Sequence, residues 1–88
     1  MSESTPKIVM YSTHVCPYCT MAERLLTQKN VHIDKIFVDD APDQREEMMR
    51  ITQRRTVPQI FIGDRHVGGY TDLAALDQSG ELDILLGL

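Results

Sequence analysis

No stretch of this 88-residue chain approaches the ~20 apolar residues that a membrane-crossing helix needs. Residues 1–6 are polar and carry neither the basic nor the hydrophobic region of a secretory signal, so the chain reads as cytoplasmic. Basic charge is not in excess. Nine Lys and Arg against thirteen Asp and Glu leave a net charge of −4, which argues against nonspecific nucleic-acid binding. Internal repeats, linkers and low-complexity segments are absent. A single domain over residues 7–88 is therefore expected, behind a flexible tail at residues 1–6. Cysteine is scarce, at two residues, which in a reducing compartment favours catalysis over scaffolding.

Those two cysteines lie together in Cys16-Pro17-Tyr18-Cys19, between an apolar run, Ile8-Val9-Met10-Tyr11, and a helical pattern of Met21, Ala22, Leu25 and Leu26. Two cysteines so spaced at a strand-to-helix junction read as a thiol–disulfide redox centre. Unpaired N–H groups and the positive end of the helix dipole favour thiolate over thiol, so Cys16 is the expected nucleophile. Cys19, one turn on, is the expected resolving sulfur. Pro17 suits the first helical position, where its missing N–H costs nothing. Half of a zinc site is the bland alternative, but zinc usually takes four ligands, and His14, His32 and His66 are scattered without metal-ligand spacing. An inert staple closing so short a loop would remove little unfolded-chain entropy. No metal site is expected.

Downstream, Asn30 reads as a helix C-cap and residues 31–38 as a second strand. Strand, helix and strand in that order imply parallel pairing through a crossover. Asp39-Asp40-Ala41-Pro42 starts a second helix, expected to run to about Gln53 with Met48, Met49 and Ile51 as its apolar contribution. Residues 58–62 form a third strand, Gly63-Asp64 a turn, and Arg65-His66-Val67 a short fourth strand. Thr71 or its neighbour then caps a third helix that stops at Gly80, and residues 82–86 dock as a last helical turn. The order βαβαββα describes an α/β protein with a four-stranded mixed β-sheet flanked by helices, the thioredoxin-like arrangement. Among the clustered arginines, Arg50 is expected to pair with acids of its own helix, while Arg45, Arg54 and Arg55 are candidates for binding a small anion. Val57, held extended by Pro58, has backbone groups suited to pairing with an incoming peptide-like chain.

From residue 8 to residue 86 the chain resembles the glutaredoxins, specifically the short dithiol type of bacteria. The resemblance rests on Cys16-Pro17-Tyr18-Cys19, on Thr56-Val57-Pro58-Gln59-Ile60-Phe61-Ile62-Gly63, and on Gly68-Gly69-Tyr70-Thr71-Asp72-Leu73. It implies a cis peptide bond before Pro58, facing the redox pair. It also implies a glutathione-dependent disulfide oxidoreductase that reduces protein disulfides and protein–glutathione mixed disulfides. Glutathione would then be a co-substrate, with no tightly bound cofactor, and glutathione reductase would regenerate it. Ribonucleotide reductase is an implied recipient of electrons, and a monomer is expected.

The resemblance assigns the glutathione contacts as well. Arg45 matches the position that holds the glycine carboxylate, and Val57 the one that pairs with the cysteinyl backbone. Thr71 and Asp72 match the positions that hold the γ-glutamyl end, where helix N–H groups take its carboxylate and Asp72 its ammonium. Tyr18 is expected to flank the sulfur, and Thr56, Pro58 and Gly69 complete the matching set. Thr13 stands where family members usually carry lysine, so one positive charge beside the sulfur is missing here. Each assignment has a plainer counterpart: Asp72 as an early-helix acid, Arg45 as surface charge, Tyr18 as packing, His14 as a solvated loop residue rather than a thiolate partner. Two other functions fit parts of the pattern. One is an iron–sulfur cluster carrier, against which Pro17 counts. The other is a redoxin reduced by thioredoxin reductase, which would have no need of Arg45 and Asp72.

Overall fold

Alternation of Ile8 and Met10 with Val9 and Tyr11 gives the first strand, β1 (Ile8–Ser12), two apolar faces, as befits a strand covered on both sides. The structure, a computed structural model, describes residues 6–88. The tail expected at residues 1–6 lies outside the described residues, Pro6 excepted. Strand β1 sits inside a four-stranded sheet of order β2-β1-β3-β4, comprising also β2 (Ile33–Phe37), β3 (Gln59–Ile62) and β4 (Arg65–Gly68). It runs parallel to β2, with Ile8 opposite Ile33, and antiparallel to β3, with Tyr11 opposite Gln59. Strands β3 and β4 are antiparallel, joined through the Gly63-Asp64 turn.

Four helices complete the chain: α1 (Pro17–Thr27), α2 (Pro42–Thr52), α3 (Tyr70–Ser79) and α4 (Glu81–Leu86). On one face of the sheet Ile8, Met10, Ile60 and Ile62 meet Ala22 and Leu26 of α1, Leu73 of α3, and Leu82 and Leu86 of α4. On the other, Tyr11 and Val38 meet Met48 of α2, with Val9, Ile36, Met49 and Phe61 around them. Leu26 is wholly buried, and its truncation to alanine would cost ~2–5 kcal/mol. The mixed sheet between helices is the thioredoxin-like arrangement expected above.

Local chemistry shifts several boundaries. The second strand is shorter than residues 31–38, although Val38 remains buried and its N–H reaches Ser12 O at 2.9 Å. Helix α1 ends at Thr27, and Asn30 takes a left-handed φ of 63° in the turn that follows. Gln53 rather than a glycine supplies the left-handed cap of α2, and Ile51, expected to be core, is 39% exposed. Thr71 does not cap α3. Gly69 stands at the N-cap and offers no side-chain cap, while Asp72 in the first turn reaches back to the Gly69 N–H. Residues 81–86 form a separate helix rather than an appended turn, since Gly80 at φ 84° stops α3.

Candidate active site

Cys16 is the N-cap of α1, in extended backbone at φ −153° and ψ 97°. Its sulfur takes the place usually held by a Ser, Thr or Asp oxygen and accepts the Cys19 N–H at 3.1 Å. Negative charge on Cys16 would therefore be met by a helix N–H and by the helix dipole, with no acid in the first turn of α1 to oppose it. Cys16 and Cys19 are disulfide-bonded, with Cα atoms 5.2 Å apart. Cys16 is half-buried, whereas Cys19 is 4% exposed within the core. This asymmetry gives an outside reactant access to Cys16.

A groove of about 360 Å³ opens beside the pair, within the size range of small-ligand sites. Tyr18, Thr56, Val57, Pro58, Gly69, Tyr70 and Thr71 line it. Six of these residues were singled out from the sequence, and the fold brings them together from three segments far apart in the chain. The Val57–Pro58 peptide bond is cis. The Val57 carbonyl oxygen lies 3.9 Å from the Cys16 sulfur, and among the described residues the Val57 N–H has no hydrogen-bond acceptor. Tyr18 is 58% exposed and stacks with Tyr70 at a centroid distance of 6.2 Å. Thr71 falls in the first turn of α3, whose leading N–H groups have no partner within the helix.

Asp72 stands next to this groove rather than in its lining. Its Oδ2 accepts the Gly69 N–H at 3.0 Å and Arg54 Nη1 at 3.2 Å. The Gly69 N–H is the main reason its carboxyl lies below the usual carboxylate range; burial opposes this, and the hydrogen bond and charge of Arg54 add to the lowering. Both roles weighed for Asp72 are thus compatible, since Oδ1 makes no hydrogen bond among the described residues. Gly68 makes this packing feasible. Its φ is 113°, and a Cβ there would overlap the Asp72 carboxylate.

Sequence reasoning missed the polar support beneath the groove. Gln59 is fully buried, and its Nε2 donates to the Thr56 carbonyl at 3.0 Å and to the Thr56 hydroxyl at 3.3 Å. With that amide orientation its Oε1 is an acceptor, so His66 Nε2, 2.8 Å away, carries the proton. Burial is the main reason why the His66 pKa is lowered, with the nearby Arg54 charge second. A polar residue at an otherwise apolar strand position, Gln59 among Ile60, Phe61 and Ile62, was the available signal.

The remaining candidates lie away from the groove. Arg45 is half-buried on α2 and has no ion pair among the described residues, and Arg55 is exposed and likewise unpaired. Neither lines the groove. Arg50 pairs with Glu47 on its own helix, as expected. Thr13 borders a different pocket together with His14 and Cys19. His14 turns to Asp39 and Asp40, with Nδ1 at 3.1 Å and Nε2 at 3.5 Å, and stacks on Phe37 at 4.3 Å. Among the described residues, His14, Asp39 and Asp40 form the only cluster with metal-ligand proximity, and all three are exposed.

The glutaredoxin family model matches residues 8–67. A glutaredoxin of Neisseria meningitidis serogroup A is 55% identical over 80 residues, covering 90% of this chain and 94% of that protein. Glutaredoxin 3 of Escherichia coli K12 is 46% identical over 79 residues, covering 90% and 95%. The solution structure of a glutaredoxin from Brucella melitensis superposes with a TM-score of 0.84 at 43% identity, covering 96% of this chain and 91% of that one. A buckwheat glutaredoxin–glutathione complex gives a TM-score of 0.86 at 28% identity, covering 93% and 77%.

Proposed function

The chain belongs to the glutaredoxin family of thiol–disulfide oxidoreductases, and we propose that it is glutathione-dependent, reducing protein–glutathione mixed disulfides and protein disulfides. The observation that carries this reading is the juxtaposition of the half-buried Cys16 sulfur with the Val57 carbonyl, 3.9 Å away, at a groove between two backbone edges. Glutathione is a peptide with two carboxylates and one ammonium. Unpaired N–H groups at Val57 and at the start of α3 suit its backbone and its γ-glutamyl carboxylate. Asp72 offers an oxygen to its ammonium, and Tyr18 offers an aromatic wall to the cysteinyl portion.

The Cys16 thiolate attacks the glutathione sulfur of a mixed disulfide, and the protein thiol departs. Free glutathione then attacks that adduct, releasing oxidised glutathione and restoring Cys16, and glutathione reductase regenerates the pool. With a protein disulfide as substrate, Cys19 attacks the Cys16 adduct and closes the disulfide seen here. Ribonucleotide reductase is a proposed recipient of these electrons, and the cytoplasm the proposed compartment. No described helix is long and apolar enough to cross a membrane. The test is an NADPH-coupled assay containing glutathione, glutathione reductase and a small glutathione mixed disulfide. Turnover should scale with enzyme and require glutathione. Turnover with thioredoxin reductase in place of glutathione would overturn the reading.

A further inference from the structure

A second pocket, of about 180 Å³, reaches the redox pair from another direction and shares no lining residue with the groove. Cys19 lines it, together with His14, Thr20, Glu23, Lys35 and Phe37. Buried Cys19 thus meets titratable side chains here rather than in the groove. Closure of the disulfide consumes a Cys19 thiolate, so its proton must first leave. A polar pocket of this size accommodates several waters at ~30 Å³ each, which can carry that proton.

Two groups could receive it. His14 has both ring nitrogens directed to Asp39 and Asp40, and its pKa is raised chiefly by the hydrogen bond to Asp39. It is engaged elsewhere. Glu23 follows Cys19 by four residues on α1 and so lies one turn along on the same helix face. Lys35, from β2 across the pocket, holds Glu23 Oε2 at 3.0 Å, and Lys35 is in turn seated 5.7 Å over the Phe37 ring. The other oxygen of Glu23, Oε1, makes no hydrogen bond among the described residues and can accept a proton relayed by water.

We propose that Glu23, oriented by Lys35, is the proton acceptor for Cys19 during closure of the disulfide, acting through water in this pocket. The inference rests on the oxidoreductase reading above. The Cys19 proton passes to the Glu23 carboxylate. The Cys19 sulfur bonds to the Cys16 sulfur while the bond from Cys16 to the departing thiolate breaks. Cys19 is oxidised and the departing sulfur reduced; that thiolate takes a proton from solvent, and Glu23 returns its own to solvent. In the reverse direction Glu23 supplies the proton to Cys19 as it leaves.

The experiment follows closure directly. Reduced protein is mixed with excess oxidised glutathione, quenched with acid at intervals, and its Cys16–glutathione adduct and closed disulfide are resolved by mass spectrometry from pH 4 to 9. Glu23→Gln should slow closure at neutral pH by ~10-fold or more. Glu23→Asp should restore part of the rate. Lys35→Met, which removes the group that orients Glu23, should slow closure as well, by less than Glu23→Gln does. In the Cys19→Ser background, where no closure occurs, Glu23→Gln should leave the rate of Cys16–glutathione adduct formation unchanged. Closure at the wild-type rate with an unchanged profile in Glu23→Gln would overturn the role of Glu23 alone. Failure of Cys19→Ser to form a Cys16–glutathione adduct would overturn both this role and the glutathione reading.

Discussion

Arg54 and Asp72 meet at 3.2 Å and tie together the two walls of the groove. Arg54 precedes the segment Thr56-Val57-Pro58, while Asp72 lies in the first turn of α3, behind Gly69 and Thr71. The acid singled out for an ammonium thus already has a cationic partner. Both side chains are about half exposed, at 48% and 46%, so the pair is worth ~1 kcal/mol or less to stability. Its importance lies in geometry.

Asp72→Ala should therefore weaken glutathione use more than it weakens the fold. Losing a charge-assisted contact to the ammonium costs ~1–3 kcal/mol at the site. The measurement is the dependence of rate on glutathione concentration, set beside thermal melting of the same variant. An unaltered dependence would reduce Asp72 to a helix-start residue. Stability adds a second, signed expectation. Because the folded pKa of Asp72 is lowered, its contribution is present above the unfolded value of ~3.9 and is lost as pH falls through the folded one. The gap in stability between wild type and Asp72→Asn should close on acidification below about pH 4.

Cys16→Ser should abolish every disulfide-reducing activity, because the helix N–H is aimed at that sulfur. Cys19→Ser should keep turnover of glutathione mixed disulfides and lose most direct reduction of protein disulfides. Parallel assays on a small glutathione mixed disulfide and on a disulfide-bonded protein separate the two. Equal loss in both would exclude the monothiol route.

Gly68→Ala forces an L-residue to φ 113° and drives a methyl into the Asp72 carboxylate. Destabilisation of ~1–3 kcal/mol is expected from the backbone alone. Gly80→Ala, at φ 84° with no neighbour near its new Cβ, isolates the backbone cost from the clash. Denaturant melts of the two variants should show the larger loss at Gly68, and glutathione use should fall only there.

His14 ties the loop before Cys16 to the end of β2, through Asp39 and the Phe37 ring. The folded pKa of His14 is raised, chiefly by its hydrogen bond to Asp39. The charge-dependent part of this tie is therefore complete below the unfolded value of ~6.5 and is lost as pH rises through the folded pKa. His14→Phe keeps the stacking and removes the charge. Its stability deficit should shrink from pH 6 to pH 9 in chemical denaturation. A pH-independent deficit would assign the tie to contacts of the neutral ring rather than to its charge, since the backbone N–H that reaches Asp39 at 3.1 Å is kept in the variant.

Much of the fold was legible because two local periodicities settle it. Alternation at Ile8–Tyr11 and at Ile60–Ile62 marks strands with two covered faces, and the spacing of Ala22 and Leu26 marks the helix laid on one of them. The boundaries were less legible. Gly69 stands at the N-cap of α3 with an acid three residues later reaching back to its N–H, and nothing at Gly69 itself announces that bond. Ile51 illustrates the same limit: its helical position favoured the core, but α2 covers only the smaller face of the sheet and leaves it out.

What the chain determined by itself was the chemistry: two cysteines at a helix start, a proline that must be entered from an extended residue, and an acid in the first turn of α3. These are short-range facts, set by backbone geometry within a few residues. Tertiary structure alone decided which of the candidates share a site. It brought Tyr18, Val57 and Thr71 to one groove, left Arg45 outside its lining, and turned His14 toward Asp39. It also set Glu23 and Lys35 beside buried Cys19. The physical reason is that such neighbours come from strands and helices whose relative placement follows from burying apolar faces, and no local signal in a polar residue states what that burial will set against it.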